Sequence, residues 1–296
     1  MLASLVGGAL IPIWGWRSVF YVGGVLPIAL ALILIKTLPE SVRFLTARGG
    51  DPKQVNAIVR RIAPDLGDVR VTTGPLSHAP QDREALPVAQ LFKEGRTAGT
   101  LLLWIPFFMN LLILYFILSW LPSLLRQAGM PVSAGITAVM VFSIGGILGA
   151  LVQGPLMKAF GIFPTMVAEF LVSLGLVVLA SMIFSNFPLM MATTFILGVS
   201  VQGAQAGLNV LSAMYYPTVI RSTGVGWALG IGRIGSIVGP ILGGIMLSMQ
   251  WTPQQIFMAG AIPAICAACA VVASGYLQGH VSPFRPATEL ATANAH

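Results

Sequence analysis

The chain has 296 residues, 56% hydrophobic and only 8% charged, with a mean hydropathy of +0.87. Soluble domains carry about 25% charged residues, so a water-exposed globular surface is excluded for most of this chain and membrane-spanning helices are expected. The net charge of +7 would suit nucleic acid, but the basic residues lie in one polar segment and in short loops, as the positive-inside bias of membrane proteins requires, and no nucleic-acid partner is expected.

An apolar run opens the chain at 1–14. It is too short to cross a bilayer alone and reads as the second half of a helix. Full spans are predicted at about 18–38, 99–121, 134–157, 162–184, 188–214, 222–248 and 254–277. Turn signals separate them at Gly15–Trp16, Pro122, Gly129–Met130–Pro131, Gly161, Asn186–Phe187–Pro188, Tyr216–Pro217 and Thr252–Pro253. The segment 39–98 holds most of the charge, with a short amphipathic helix expected at 52–62 and a loose Thr/Gly/Pro/Ser-rich stretch at 72–87. The expected organisation is an all-α, multi-span membrane protein. Residues 1–38 are the remnant of an N-terminal transmembrane half, 39–98 a cytoplasmic central loop, 99–277 a C-terminal six-helix half and 278–296 a cytoplasmic tail.

With 39–98 in the cytoplasm, Lys158, Arg221 and Arg285 fall on the same side, while Arg17 and Arg126 fall outside. The loops at 185–188 and 249–253 carry no Lys or Arg and also fall outside. Cys266 and Cys269 are spaced as C-x-x-C inside an apolar run without histidine nearby, which reads as packing rather than a redox or metal pair. No metal, cofactor, phosphate loop or nucleophile constellation is expected, and hence no enzyme.

Polar residues inside the spans are few, and a buried polar group in lipid is costly enough to need a reason. Arg233 stands halfway along a glycine-rich span. It reads either as the fork that holds an anionic substrate or as a structural pair with a backbone carbonyl or with Glu169. The spans' glycines read as packing faces: Gly226-x-x-x-Gly230 and Gly235-x-x-x-Gly239-x-x-x-Gly243 let another backbone come close, with Pro240 loosening the helix.

Gln202, Gln205 and Asn209 fall on one helix face, directed either at a cavity or at another polar helix. In the first span of the six, Asn110 and Tyr115 are five residues apart and do not share one narrow face. Asn110 is the better cavity candidate, and Trp120 reads as an interfacial belt residue. Glu169 is the single acid within the six spans, a candidate for carrying a coupling proton or a structurally paired group. Gln153 reads as structural.

Three stretches carry a resemblance. GWRSVFYVGGVLPIALALILIKTLPESVRFL at 15–45 resembles a sixth helix followed by the P-E-S-x-R-[FY]-L signature. GALVQGPLMKAFG at 149–161 occupies the place of a second G-x-x-x-D-R-x-G loop, and YPTVIRSTGVGWALGIGRIGSIVGPILGG at 216–244 resembles the tenth-to-eleventh-helix region. Together they make the chain similar to the major facilitator superfamily, and within it to the aromatic acid:proton symporters, carriers of 4-hydroxybenzoate, protocatechuate, benzoate and vanillate. The resemblance implies proton-coupled uptake of an aromatic or related organic acid across the bacterial inner membrane, with lipid bilayer, proton and small acid as the partners. The expected substrate site joins the polar residues read above, Asn110, Gln202, Gln205, Asn209 and Arg233, with Trp227 and Phe107 beside the ring, and the gating loop has Lys158 and Arg221.

By the same resemblance the chain starts inside the fifth helix. The first four helices, with the acidic motif of the first and the basic residue of the fourth, have no counterpart, and an incomplete chain that does not transport alone is expected. Lys158–Ala159 replaces the Asp–Arg pair of the loop motif and reverses its sign, which puts the usual latch in doubt. A sugar or other organic-acid porter of the superfamily, or a non-transporting membrane fragment, are the alternative readings.

Overall fold

The computed structural model describes residues 13–15, 17–37, 88–183, 186–217 and 220–281. Among these residues every regular element is a helix. In chain order they are α1 (Arg17–Thr37), a short 3-10 turn (Ala89–Phe92), α2 (Thr97–Gln127), α3 (Val132–Phe160), α4 (Ile162–Met182), α5 (Phe187–Tyr215), α6 (Arg221–Ser248), α7 (Pro253–Ala259) and α8 (Ala261–Val281). Among the described residues seven segments, counting α7 with α8, are long and apolar enough to cross a membrane. The expected helix at 52–62, the loose stretch at 72–87, Arg285 and most of the first apolar run lie outside the described residues.

The chain divides into two units, one over 2–85 and one that runs from 86 to the end. In the first, α1 turns apolar side chains such as Leu26, Ile28 and Ile35 outward. Its start is held by the Ser18 hydroxyl, which donates to the Gly15 carbonyl at 2.6 Å. The second unit is the six-span lobe, and the rest of the description concerns it.

The helix ends follow local chemistry. Gly129 takes a φ of +86°, and the amide of Met130 behind it bonds back to the Leu125 carbonyl at 3.0 Å, a left-handed glycine stop. Gly161, at φ +90°, is the whole connection between α3 and α4. Asn186 caps α5 by accepting from the Leu189 amide at 3.2 Å, and Thr252 with Gln255 forms a capping box at the start of α7.

Two expected boundaries are corrected. Pro122 does not end its helix, because α2 continues to Gln127. The proline removes only the bond to the Leu118 carbonyl, and Gly135 of α3, with no side chain, gives its ring room. The last span is not one helix, because it breaks at Gly260 between α7 and α8. Pro263 has no N–H for the Ala259 carbonyl, and its ring would strike that carbonyl in a continuous helix.

Two apolar clusters fill the lobe. One contains Ile113, Phe116, Phe142, Val177, Leu197 and Phe257, the other Leu103, Phe107, Met166, Phe170, Leu208 and Tyr216. Polar residues mark the seam: Asn110 lies between Phe107 and Ile113, and Ser173 between Phe170 and Val177. The Ser173 and Ser200 hydroxyls meet at 2.8 Å. Lipid offers no hydrophobic drive between helices, so close packing of small residues must supply the cohesion.

The run Gly235–Gly239–Gly243 of α6 does this, since a Cβ at these positions would strike the backbone of Phe108 and Leu112 and the Trp120 indole. Gly226 and Gly230 have no neighbour within 4 Å of such a Cβ, so the packing expected of that pair is not found among the described residues. Sequence reasoning misses a second tight pair: Gly145 and Gly149 of α3 lie against the Phe195 and Val199 carbonyls of α5. Their four-residue spacing is the signal that could have found them.

Candidate functional site

α2 and α6 begin, and α5 ends, at one end of the lobe. The Tyr215 hydroxyl donates to the Arg96 carbonyl there at 3.1 Å, and Tyr216 packs on Gly224. From that end these three helices carry the polar side chains of the candidate site.

Arg233 is exposed on α6. Its Nη1 donates to the Tyr115 hydroxyl of α2 at 3.1 Å. The structural pair expected with a backbone carbonyl or with Glu169 is replaced by this phenol. A guanidinium has five N–H donors, and this bond uses one of them while fixing the plane of the group. Sequence reasoning places Asn110 and Tyr115 on different faces of their helix and favours Asn110, with Pro106 and Phe107 near it. That geometry holds: Asn110 meets α5, and Tyr115 meets α6.

Asn110 is fully buried, which corrects its expected place on the cavity wall. Its Nδ2 donates to the Val201 carbonyl at 3.1 Å and to Gln205 Oε1 at 3.0 Å. Gln205 is half-buried, and its Nε2 reaches Asn209 Oδ1 at 3.5 Å, with Asn209 exposed. Gln202 departs from this chain, because its carboxamide lies directly on Gly146 of α3. The stripe expected on α5 therefore divides: Gln202 turns toward α3 and Gln205 toward α2, while Asn209 is exposed and bonded to Gln205.

Trp227 is 43% exposed and stacks on Trp104 with ring centroids 6.1 Å apart. Phe92 meets Trp104 edge-on at 5.6 Å, so the three rings form a row near the end where α2 and α6 begin. Phe107 does not join it: its side chain is fully buried in the core. Trp120 is no simple belt residue either. Its indole N–H donates to the Pro240 carbonyl at 2.9 Å, tying α2 to the proline site of α6.

Glu169 of α4 is half-buried and accepts from Gln153 Nε2 of α3 at 3.2 Å. Both side chains cover Gly203 of α5, where a Cβ would stand 2.9 Å from Glu169 Oε1 and 3.2 Å from Gln153 Oε1. Gln153 Oε1 is buried and has no hydrogen-bond partner. Lys158 is exposed in the last turn of α3, where a cation meets the negative end of the helix. Arg221 is exposed at the first turn of α6, and its Nε donates to the Tyr216 carbonyl at 3.3 Å. Cys266 and Cys269 are free thiols.

An apolar crevice of about 320 Å³ lies elsewhere, between Phe108 and Phe116 of α2, Val177 of α4, Leu242 of α6 and Pro263 of α8. Its walls offer no cation and no side-chain donor, so a carboxylate has nothing to bind there. The polar face at Arg233 is the better site for an anion.

The sequence is similar to those of known proteins. The chain is 36% identical to the gallate transporter of Pseudomonas putida over 95% of its own length and 62% of that protein. It is 36% identical to the 4-hydroxybenzoate transporter PcaK of Acinetobacter baylyi over 91% of this chain and 59% of that protein. The benzoate transport protein of Acinetobacter baylyi is 33% identical over 90% of this chain and 56% of that protein. The chain thus spans about 60% of the length of these relatives. Residues 1–178 match the family model described as Major Facilitator Superfamily. With seven segments among the described residues long and apolar enough to cross a membrane, and with this match, the chain is a multi-span membrane protein that belongs to the Major Facilitator Superfamily, a family of carriers rather than enzymes.

Proposed function

We propose that the protein is a proton-coupled carrier that imports an aromatic carboxylic acid across the bacterial inner membrane, with the segment after α1 and the C-terminus in the cytoplasm. The observation that carries this reading is Arg233, a cation exposed at mid-span and oriented by Tyr115. A charge at that depth is costly unless it serves a polar cavity. The named substrates of the relatives, gallate, 4-hydroxybenzoate and benzoate, are carboxylates with one aromatic ring, the chemistry such a face fits.

In this reading the carboxylate meets the Arg233 fork, since charge-assisted hydrogen bonds to a guanidinium are strong and directional. The ring lies toward the Trp227–Trp104 stack, and Gln205 and Asn209 supply polar contacts, with Gln202 at the border of the face. Lys158 and Arg221 stand at the cytoplasmic helix ends, where the gating loop is expected.

Glu169 is the proton carrier of this reading. Ionised, it accepts from Gln153 Nε2. Protonated, its O–H has an acceptor at hand in Gln153 Oε1, the buried oxygen that otherwise has no partner. Protonation would thus give a partner to an oxygen that the ionised pair leaves without one.

Right-side-out membrane vesicles in which the complete reading frame is expressed test the proposal. Labelled 4-hydroxybenzoate should accumulate on an acid-outside pulse, lose accumulation with an uncoupler, and be displaced by benzoate but not by glucose. Displacement by glucose would favour a sugar porter. Absence of accumulation would favour a membrane protein that does not transport.

A further inference from the structure

The chain Asn110–Gln205–Asn209 has a fixed direction, and one backbone atom sets it. Asn110 faces the Val201 carbonyl and the Gln205 carboxamide with the same atom, at 3.1 and 3.0 Å. A carbonyl oxygen only accepts, so that atom is the nitrogen. Gln205 must then turn its oxygen toward Asn110 and its Nε2 away. Nε2 meets Asn209 Oδ1, which leaves the nitrogen of Asn209 as the outer end. Turning the Asn110 amide over would press oxygen against the Val201 carbonyl. The present orientation is kept although it leaves Asn110 Oδ1 buried without a partner.

The outer end lies at a useful depth. Asn209 stands six residues before the end of α5 at Tyr215, and Arg233 twelve residues after the start of α6 at Arg221. At about 1.5 Å per residue their levels differ by about 9 Å along the lobe. That is close to the reach of a benzoate ring with a hydrogen-bonded group at each end.

We propose that Asn110 is a positioning residue: through Gln205 it turns the Asn209 amide so that N–H donors face the substrate and select a hydrogen-bond acceptor on the ring end remote from the carboxylate. This rests on the reading that Arg233 holds the carboxylate. Asn110 itself touches no substrate. Its burial and its bond to main chain make the setting permanent, while the reading atom is exposed.

The test is the ratio of binding affinities for 4-hydroxybenzoate and 4-aminobenzoate, measured by competition with labelled benzoate on the protein in nanodiscs. The two rings have the same shape, but the hydroxyl oxygen accepts readily and the aniline nitrogen poorly. The wild-type protein should favour the hydroxyl by about fivefold, the worth of one neutral hydrogen bond. Asn110→Ala lets Gln205 turn, and the ratio should fall toward one. Gln205→Leu cuts the chain at its middle and should do the same, which keeps the test open if Asn110→Ala fails to fold.

Asn209→Leu removes the outer N–H altogether and should also bring the ratio to about one. An unchanged ratio in Asn110→Ala, in Gln205→Leu or in Asn209→Leu overturns the inference alone. Absence of benzoate binding, or binding that survives in Arg233→Ala undiminished, overturns the underlying reading and the inference with it.

Discussion

Arg233 and Tyr115 stand on different helices and meet through one hydrogen bond, from Nη1 to the phenolic oxygen at 3.1 Å. The bond costs the guanidinium one of five donors and gives the fork a fixed plane, and the carboxylate contact depends on that plane. Tyr115→Phe should therefore weaken binding of an aromatic acid by about threefold to tenfold, the range of one hydrogen bond. Thermal unfolding should hardly change, because both side chains stand at the surface of the lobe. Isothermal titration with 4-hydroxybenzoate measures the first effect and a melt in detergent the second.

Glu169→Gln should separate folding from coupling. The amide keeps a hydrogen bond to Gln153 over Gly203, so the lobe should fold and bind acid. It carries no proton, so uptake should lose its response to an imposed pH gradient while exchange of labelled for unlabelled acid continues. Glu169→Leu should destabilise the protein as well, by about 1–3 kcal/mol, because the buried Gln153 amide loses its partner. Exchange and gradient-driven uptake in the same vesicles check the pair.

Gly239→Val should be far worse than Gly230→Val. A side chain at 239 strikes the Leu112 carbonyl, whereas 230 has nothing within 4 Å. Overpacking of this kind costs about 1–3 kcal/mol or more, and here the obstacle is backbone, which cannot turn aside. The unfolding midpoint of each variant in detergent decides it.

Trp120→Phe keeps most of the apolar contact over Gly243 but removes the N–H that reaches the Pro240 carbonyl. The expected loss is about 1 kcal/mol. A larger increase in cysteine labelling between α2 and α6 near Pro240 than near Gly232 would show that the tie holds that part of α6.

The spans were legible because a run of about 20 apolar residues matches the thickness of a bilayer and is longer than a soluble core helix needs, and the lobe's six appear within a few residues of their expected ends. The departures come from proline. At Pro122 a glycine on the neighbouring helix makes continuation possible, and at Pro263 a clash with Ala259 breaks the helix; neither partner is visible from the proline's own neighbours. Among site residues, Arg233 stands out by charge alone. Its partner does not, since periodicity says which way Tyr115 points on α2 but not that α6 brings Arg233 across from it. The burial of Asn110 and the turn of Gln202 toward Gly146 likewise depend on which helices touch. The pairing of Gln153 with Glu169, sixteen residues apart across the α3–α4 turn, was open to reading, because a one-residue connection makes those helices antiparallel neighbours.

The central claim is that Arg233 holds the carboxylate, and equilibrium binding of 4-hydroxybenzoate and of its uncharged methyl ester to the wild-type protein and to Arg233→Ala tests it most directly. The account predicts that the wild type prefers the acid and that Arg233→Ala loses about 10- to 150-fold in affinity for it, as a hydrogen-bonded charge pair is worth about 1.5–3 kcal/mol, while the ester is bound equally by both. Equal loss for acid and ester, or an acid affinity that survives the substitution, would contradict it.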